Sequence, residues 1–345
     1  MCISLIATSH PEYPFILLNN RDEFLNRPTA RAHWWVSPNN HVLGGRDLQR
    51  KIRGTWLAIT RDGRIANLTN FRDETTEPLS SKSRGALVNA YVTTPEQLSD
   101  DSDELFTRHL FNDFGIHDVG GFTLLFGRLR APQTKANTTN TNTNTNTNKD
   151  TINSLPGLTL ISNRTKTPTS TRRICTSLNE INGLSNTHYG DLTWPKVVHG
   201  EQLLKQAITA SVSRKDDLES LLEALFDVLS VDTLPKPRSG DGWEGYTRQL
   251  RNSILIPAFG GEDIAKKSAD EIASADGDGE GGTDEVGSVR LGDGAYGTQR
   301  QTVVVVDMQG RVTFVERTLF DGAAGPPEEG DRDRRFEFDI EGWET

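Results

Sequence analysis

The amino terminus most constrains the fold, because an apolar strand begins at the second residue. Cys2–Ala7 is one apolar run, Ser9–Pro14 is rich in turn-forming residues, and Phe15–Leu18 is a second apolar run. The pattern predicts an antiparallel hairpin. The polar residues after the second run, Asn19–Glu23, then lie beside Cys2, because an antiparallel hairpin returns the chain to where it started.

Groups of strands alternate with groups of helices along the rest of the chain. Thr55–Thr60 and Ile65–Asn70 flank a Gly-containing turn and predict a second hairpin. Other predicted strands are Val42–Leu43, Phe122–Phe126, Leu158–Ser162, Ser253–Ile256, Thr302–Asp307 and Val312–Glu316; predicted helices are Ser83–Val92 with Ser83 as N-cap, Leu98–Phe111, Pro195–Ser211 and Asp216–Leu229. This order favours an α+β layered domain over a Rossmann repeat.

Two segments of unusual composition interrupt this pattern. Residues 136–150 contain an Asn/Thr alternation, and residues 263–294 are acidic and rich in glycine. Both are expected to be disordered insertions in a single domain spanning residues 1–345. For the Asn/Thr tract a passive loop is favoured, and self-association as a polar β stretch is the alternative.

Composition excludes several classes of protein. No stretch approaches the roughly 20 apolar residues of a membrane helix. Two cysteines cannot form a disulfide framework, and the chain has neither a CxxC nor an HExxH motif. We therefore expect no metal site and no required cofactor. The first twenty residues contain no Lys or Arg, which is untypical of a presequence and favours a cytoplasmic protein.

Charge is unevenly distributed along the chain, whose formal net charge is −10. Residues 261–295 hold ten acidic and three basic residues, whereas residues 21–72 hold ten basic and four acidic ones. The basic segment indicates either a solvated face or a cleft for an anionic small molecule. Nucleic acid is not an expected partner, because no known binding module is recognisable.

Cys2 is the most specific candidate for chemistry. Removal of Met1 would leave a free α-amine on Cys2, and an α-amine titrates near pH 7.7–8.0. One residue would then supply both a nucleophile and its general base. The alternative is that Cys2 is a small apolar residue at the start of a strand.

Four further residues are candidates for supporting that chemistry. The hairpin places Arg21 and Asp22 near Cys2, where a guanidinium lowers a thiol pKa and a carboxylate orients the amine. Asn70, which ends a predicted strand, and Asn186, in the Gly183–Asn186 segment, carry amides that can donate to an oxyanion. The alternatives are a turn with a local ion pair and ordinary turn-forming asparagines.

Short motifs lie at both ends and through the middle of the chain. They are Met1-Cys2, Asn20–Phe24, Arg27-Pro28, Gly44–Asp47, Gly54–Leu57, Leu68–Asn70, Ser83–Gly85, Gly183–Asn186, Trp194–Lys196, Tyr296–Thr298 and Val315–Arg317. In these motifs the chain resembles the NRDE family, that of the transport and Golgi organization protein 2.

The resemblance implies a four-layer αββα sandwich similar to the N-terminal-nucleophile hydrolases. It implies Cys2 as nucleophile with Arg21 and Asp22 as supports, and Asn70 and Asn186 as oxyanion candidates. One departure is notable: the resemblance implies Tyr-Gly-Thr-Arg before a late strand, and this chain has Tyr296–Arg300, in which the arginine is displaced by one position. Because neighbouring strand residues face opposite ways, Arg300 is then expected to change face.

The resemblance also implies a role in Golgi organisation and protein secretion, with links to haem trafficking and to acyl-CoA or lipid metabolism. The favoured hypothesis is binding of an anionic amphiphile, haem or acyl-CoA, by Asn20, Arg21, Asp22, Glu23 and Arg46. The alternatives are a Cys2-dependent amidase or thioesterase, and a scaffold that contacts secretory-pathway proteins. The expected location is the cytoplasm, with peripheral contact to Golgi or mitochondria.

Overall fold

Two antiparallel sheets lie face to face, with helices on the outer side of each. This arrangement comes from a computed structural model that describes residues 2–70, 83–94, 102–135, 152–235, 243–260, 294–321 and 327–344. The predicted insertions at 136–150 and 263–294 lie outside these ranges, apart from Gly294. No helix within them is long and apolar enough to cross a membrane.

The first sheet has six strands and contains both chain ends. Its strands are, in spatial order, β12 (Ile181–Leu184), β1 (Ile3–Ala7), β2 (Phe15–Phe24), β13 (Tyr296–Val306), β14 (Arg311–Thr318) and β15 (Asp333–Asp339). The predicted amino-terminal hairpin is therefore present, and it lies inside the sheet because β12 and β13 pair with its two edges.

The second sheet has seven strands. In spatial order they are β11 (Arg172–Ile174), β10 (Leu158–Ser162), β7 (Phe122–Arg128), β6 (Arg64–Asn70), β5 (Leu57–Thr60), β4 (Val42–Asp47) and β3 (Thr29–Trp34). A separate ribbon pairs β8 (Gln133–Lys135) with β9 (Ile152–Ser154). The helices are α1 (Gly85–Val92), α2 (Ser102–His109), α3 (Pro195–Arg214), α4 (Leu218–Leu229) and α5 (Trp243–Gln249).

Strand alternation divides the apolar side chains of the two sheets between the inner and outer faces, in three large clusters; a smaller fourth cluster contains Tyr246 and Phe259. Leu17 of β2 points between the sheets and packs in one cluster with Leu57 of the second sheet. Its neighbour Leu18 points outward and packs with Leu225 of α4. On the far side, Leu87 of α1 belongs to a cluster on the outer face of the second sheet. The layers are helix, sheet, sheet and helix, which confirms the α+β αββα fold class.

Some predicted elements differ from the structure. Ser253–Ile256 is not a strand, although it bonds to the first sheet: Asn20 Nδ2 donates to the Ile254 carbonyl, and the Thr298 backbone amide donates to the Ile256 carbonyl. The first helix begins at Gly85 after Arg84, so Ser83 is not its N-cap. The next helix covers Ser102–His109 and continues as a π-helical turn. Strands β3, β11, β12 and β15 were not predicted, because they are short or carry many charged residues.

Candidate functional site

Cys2 lies opposite Arg21 in the amino-terminal hairpin. The register of β1 and β2 pairs Ile3 with Asn20, so the preceding residue falls beside Arg21. The Cys2 Sγ atom is 3.7 Å from the carbonyl oxygen of Asp22, to which the thiol donates. Burial raises the pKa of this thiol, and the residue is only 8% exposed. In this environment the thiol is held in its protonated form.

Arg21 and Asp22 are adjacent in sequence but lie on opposite faces of the first sheet. The Arg21 guanidinium points between the sheets, where it stacks 4.5 Å from the Trp56 ring centroid and donates to Gln299 Oε1. The Asp22 carboxylate points toward the helices, where Thr298 Oγ1 donates to it at 2.7 Å. Of the two charged groups, only the guanidinium therefore shares a face with Cys2; Asp22 contacts Cys2 through its backbone.

The Arg21 guanidinium is a buried cation with neutral contacts. The residue is 5% exposed, and burial lowers its pKa. Within the described ranges it forms no ion pair; its contacts are an amide oxygen and an indole ring. The nearby acidic residues Glu23 and Asp47 instead contact Arg27, at 3.7 and 2.6 Å. A buried charge without a carboxylate at contact distance can attract an anionic group.

Asp22 is paired with a lysine from the helix layer. Lys196 lies in the first turn of α3, and its Nζ is 3.9 Å from Asp22 Oδ2. Both side chains are completely buried. Burial lowers the pKa of Lys196, whereas the nearby Asp22 charge raises it. The Tyr296 hydroxyl donates to the Asp22 carbonyl at 3.2 Å. This arrangement ties α3 to the end of β2 where Cys2 lies.

A β-bulge accommodates the displaced arginine. Thr298 pairs with Asp22 and Arg300 pairs with Arg21, so Gln299 is an extra residue opposite β2. At a bulge the alternation of faces is interrupted. Thr298 contacts Asp22 on the helix side, while Gln299 contacts Arg21. Arg300 lies four residues before Val304 in the regular part of β13, so the two side chains face the same side, and Val304 packs between the sheets. The extra residue thus leaves Arg300 on the inter-sheet face, contrary to the expected change of face.

Asn70 and Asn186 lie together at the junction of the two sheets. Asn186 Nδ2 donates to the Asn70 carbonyl oxygen. The side-chain amide of Asn186 is therefore hydrogen-bonded to the backbone. Beside them, Thr69 Oγ1 donates to the Ser185 carbonyl at 3.0 Å, and Ser185 Oγ donates to the Cys2 carbonyl at 2.7 Å. The two asparagines are therefore linked to Cys2 through Ser185.

Of the remaining predicted ligand-binding residues, Asn20 and Arg46 point away from Cys2. Asn20 Nδ2 donates to the carbonyl groups of Leu229 and Ile254, at 2.8 and 2.9 Å, on the helix side of the sheet. Arg46 stacks 3.9 Å from the Trp35 ring centroid, in the outer cluster of the second sheet. The structure groups Glu23 with Arg27 near the Cys2 end, but it does not bring Asn20 or Arg46 to the thiol.

Residues from distant parts of the chain complete the site. Trp56, Lys196, Thr298 and Gln299 contact the hairpin pair directly. All four lie in or beside motifs visible in the sequence, yet no spacing rule joins them to Cys2. Within the described ranges, no three His, Cys, Asp or Glu residues are grouped as metal ligands. A small cavity lined by Thr8 and Cys175 lies at the other end of β1.

Comparisons with known proteins agree with the sequence motifs. A family profile described as "Transport and Golgi organisation 2" matches residues 1–321. The transport and Golgi organization 2 homolog of Mus musculus is 26% identical over 319 residues, which cover 90% of this chain and 88% of the mouse protein. The Homo sapiens homolog is 27% identical over 313 residues, with 90% and 88% covered.

Two solved structures show a distant likeness. The Caenorhabditis elegans N-acylethanolamine-hydrolyzing acid amidase ortholog has a TM-score of 0.33 and 12% identity, covering 73% of this chain and 98% of that chain. The C2A mutant of the conjugated bile acid hydrolase from Clostridium perfringens has a TM-score of 0.32 and 10% identity, covering 100% and 94%. Scores this low carry no inference about activity.

Proposed function

The chain belongs to the transport and Golgi organisation 2 family, and from this premise we propose that it binds an anionic amphiphile at the Cys2 end of the sandwich. The ligand class is haem or a long-chain acyl-CoA, whose carboxylate or phosphate groups pair with Arg21. Through this binding the protein serves Golgi organisation and protein secretion from the cytoplasm.

One observation carries the proposal: Arg21 is a buried cation whose contacts are neutral. Burying a charge is costly unless an opposite charge or several hydrogen bonds compensate for it. Gln299 and Trp56 orient the guanidinium without neutralising it. Arg84 adds a second basic group at this end: burial lowers its pKa, and the charge of Glu23 raises it.

Titration of haem and of a long-chain acyl-CoA against the wild type and two arginine variants tests the proposal. Arg21→Gln removes the charge facing Cys2. Arg61→Gln is the matched control, because Arg61 also stacks on a tryptophan, 4.0 Å from the Trp34 centroid, but on the β5–β6 turn. We expect Arg21→Gln to raise Kd about 10- to 100-fold, the loss of a charged hydrogen bond, and Arg61→Gln to leave it unchanged. The proposal fails if wild-type binding is not saturable or if the two variants bind alike.

A second candidate function is a Cys2-dependent amidase or thioesterase, favoured by the position of the thiol opposite Arg21. Once Met1 is removed, the Cys2 α-amine would take the thiol proton. The Sγ atom would bond to the acyl carbon while the thiol or amine product leaves with that proton, and water would then release the acid. Burial raises the pKa of the thiol, so the amine is essential to this mechanism.

Intact mass after incubation with an acyl thioester distinguishes the two functions. A mass that lacks Met1 and gains one acyl group, absent in Cys2→Ala, supports the enzyme. Retention of Met1, or equal turnover by Cys2→Ala and the wild type, contradicts it.

A further inference from the structure

The loop that joins β4 to β5 combines basic and exposed apolar side chains. Within residues 48–53, here called the basic loop, Arg50, Lys51 and Arg53 are basic, while Leu48 and Ile52 are 42% and 51% exposed. No acidic residue lies within the loop, and the preceding Asp47 is paired with Arg27. The surface of the loop is therefore positively charged with two apolar side chains.

Hydrogen bonds with neighbouring residues hold the backbone of the basic loop in place. Arg46 Nε donates to the Arg53 carbonyl at 2.6 Å, and Asn89 Nδ2 donates to the Ile52 carbonyl at 3.3 Å. The Gln49 amide donates to Asp47 Oδ1 at 2.9 Å. Arg53 adopts φ 47°, a left-handed conformation that is unfavourable for a residue with a Cβ atom. These contacts fix a conformation in which Leu48 and Ile52 remain outside the core.

The basic loop lies at the same end of the sandwich as Cys2. It follows the end of β4, where a Cβ on Gly45 would lie 2.6 Å from the Trp56 ring, and Trp56 stacks with Arg21. The loop is also followed by Gly54, whose backbone approaches that of Gly85 at the start of α1. A partner of the basic loop would therefore lie beside the candidate site.

We propose that the basic loop docks the protein on an anionic lipid bilayer. Leu48 and Ile52 enter the boundary between headgroups and acyl chains, while Arg50, Lys51 and Arg53 contact the headgroups. Exposed apolar side chains flanked by basic ones match this interface in both polarity and charge. A bilayer fits better than a protein partner, because a stable protein interface needs about 800 Å² from each side, more than six residues offer.

Co-sedimentation with vesicles of phosphatidylcholine, with and without phosphatidylserine, tests the docking. We expect the full chain to bind only the vesicles that contain phosphatidylserine, less tightly at high salt. Lys51→Gln/Arg53→Gln should lower the partition coefficient about fivefold for each charge removed. Leu48→Ser/Ile52→Ser should lower it about tenfold through the lost apolar contact.

Matched controls distinguish the effect of the basic loop from a general effect of charge or hydropathy on vesicle binding. Lys205→Gln/Lys215→Gln removes two exposed charges from the middle and the C-terminal end of α3, and Lys215 shares the left-handed backbone of Arg53. Val36→Ser removes an apolar side chain that is 80% exposed. Both controls should bind as the wild type does, and thermal melts should show that all variants are folded.

An absence of binding to either vesicle would overturn the docking and would leave a protein partner for the loop. Unchanged binding by both loop variants, or equal losses in the controls, would also overturn it. The Arg21→Gln variant shows whether vesicle binding depends on the proposed ligand site. If that variant alone abolishes vesicle binding, the lipid enters the ligand site and the basic loop is not the docking surface. If it binds vesicles normally while losing haem and acyl-CoA, both proposals stand.

Discussion

At the scale of single residues, the two cysteines are both buried but differ in their surroundings. Cys2 donates to a carbonyl oxygen beside Arg21, whereas Cys175 Sγ accepts from Asn182 Nδ2 at 3.6 Å. Burial raises the pKa of Cys175 to about 12, and the charge of Glu180 contributes in the same direction. A thiol with this pKa is unreactive near neutral pH, because only the thiolate is nucleophilic.

We therefore predict slow alkylation of Cys175 in the folded protein. At pH 8 about one in 10⁴ of its thiols is ionised, given a pKa of about 12. The labelling rate with iodoacetamide, followed by peptide mapping, should rise about tenfold per pH unit up to pH ~11. The same peptide from denatured protein provides the reference and should react on the order of 10³-fold faster at pH 8. Rapid labelling of folded Cys175 at pH 8 would contradict the burial described here.

At the scale of secondary-structure elements, the bulge in β13 determines which side chains meet β2. The strand must present Thr298 to Asp22 on the helix side and Arg300 to the inter-sheet side. A regular strand does this with adjacent residues, because the side-chain period is two. Here Gln299 stands between them, and the bulge absorbs it without moving either neighbour to the other face.

Deletion of Gln299 should therefore leave the fold intact. The shortened strand regains regular alternation, so we expect the melting temperature to change by only a few degrees, apart from the lost contact with Arg21. Deletion of Val303, in the regular part of β13, shifts apolar side chains to the wrong face and should prevent folding. Circular dichroism melts of the two variants measure the difference. Equal destabilisation by both deletions would show that the bulge does not tolerate a deletion better than the regular part of β13 does.

At the scale of the whole molecule, buried polar contacts join the layers at the Cys2 end. Lys196 and Asp22 connect the first helix layer to the first sheet. Thr69 and Ser185 connect the two sheets. Apolar clusters fill the space between the layers. Buried polar contacts also occur away from the Cys2 end: Ala32 N donates to Glu316 Oε1 at 2.7 Å between the sheets, and Arg64 Nη1 donates to the Tyr91 carbonyl at 3.3 Å between the second sheet and α1.

Breaking the Lys196–Asp22 pair on one side should destabilise the protein. We expect Lys196→Met to cost about 3–5 kcal/mol in the free energy of unfolding, because it removes a buried cation from beside a buried carboxylate. Adding Asp22→Asn should recover part of this loss, since the buried carboxylate charge is then absent. Urea unfolding measures both, with Lys205→Met on the exposed face of α3 as control. A double variant as unstable as the sum of its single variants would show that the two charges do not interact.

Local patterns in the sequence were sufficient for the hairpin, the helices α3 and α4 and the layered class of fold. Alternation and turn residues act over a few positions, and they place Cys2 opposite Arg21. The prediction failed at Ser253–Ile256, where an apolar run accepts hydrogen bonds from the Asn20 side chain and the Thr298 backbone amide without joining a sheet. The sequence of a short apolar run does not indicate whether the run will pair with a strand.

By itself the sequence determined that Cys2 and the polar end of β2 meet, because both lie on one hairpin. Only the tertiary structure decided what surrounds them: Gln299 and Trp56 on the Arg21 side, and Lys196 and Thr298 on the Asp22 side. These contacts depend on the order of strands in two sheets and on one bulge. Such long-range pairings follow from how complete layers pack, and no local periodicity specifies them.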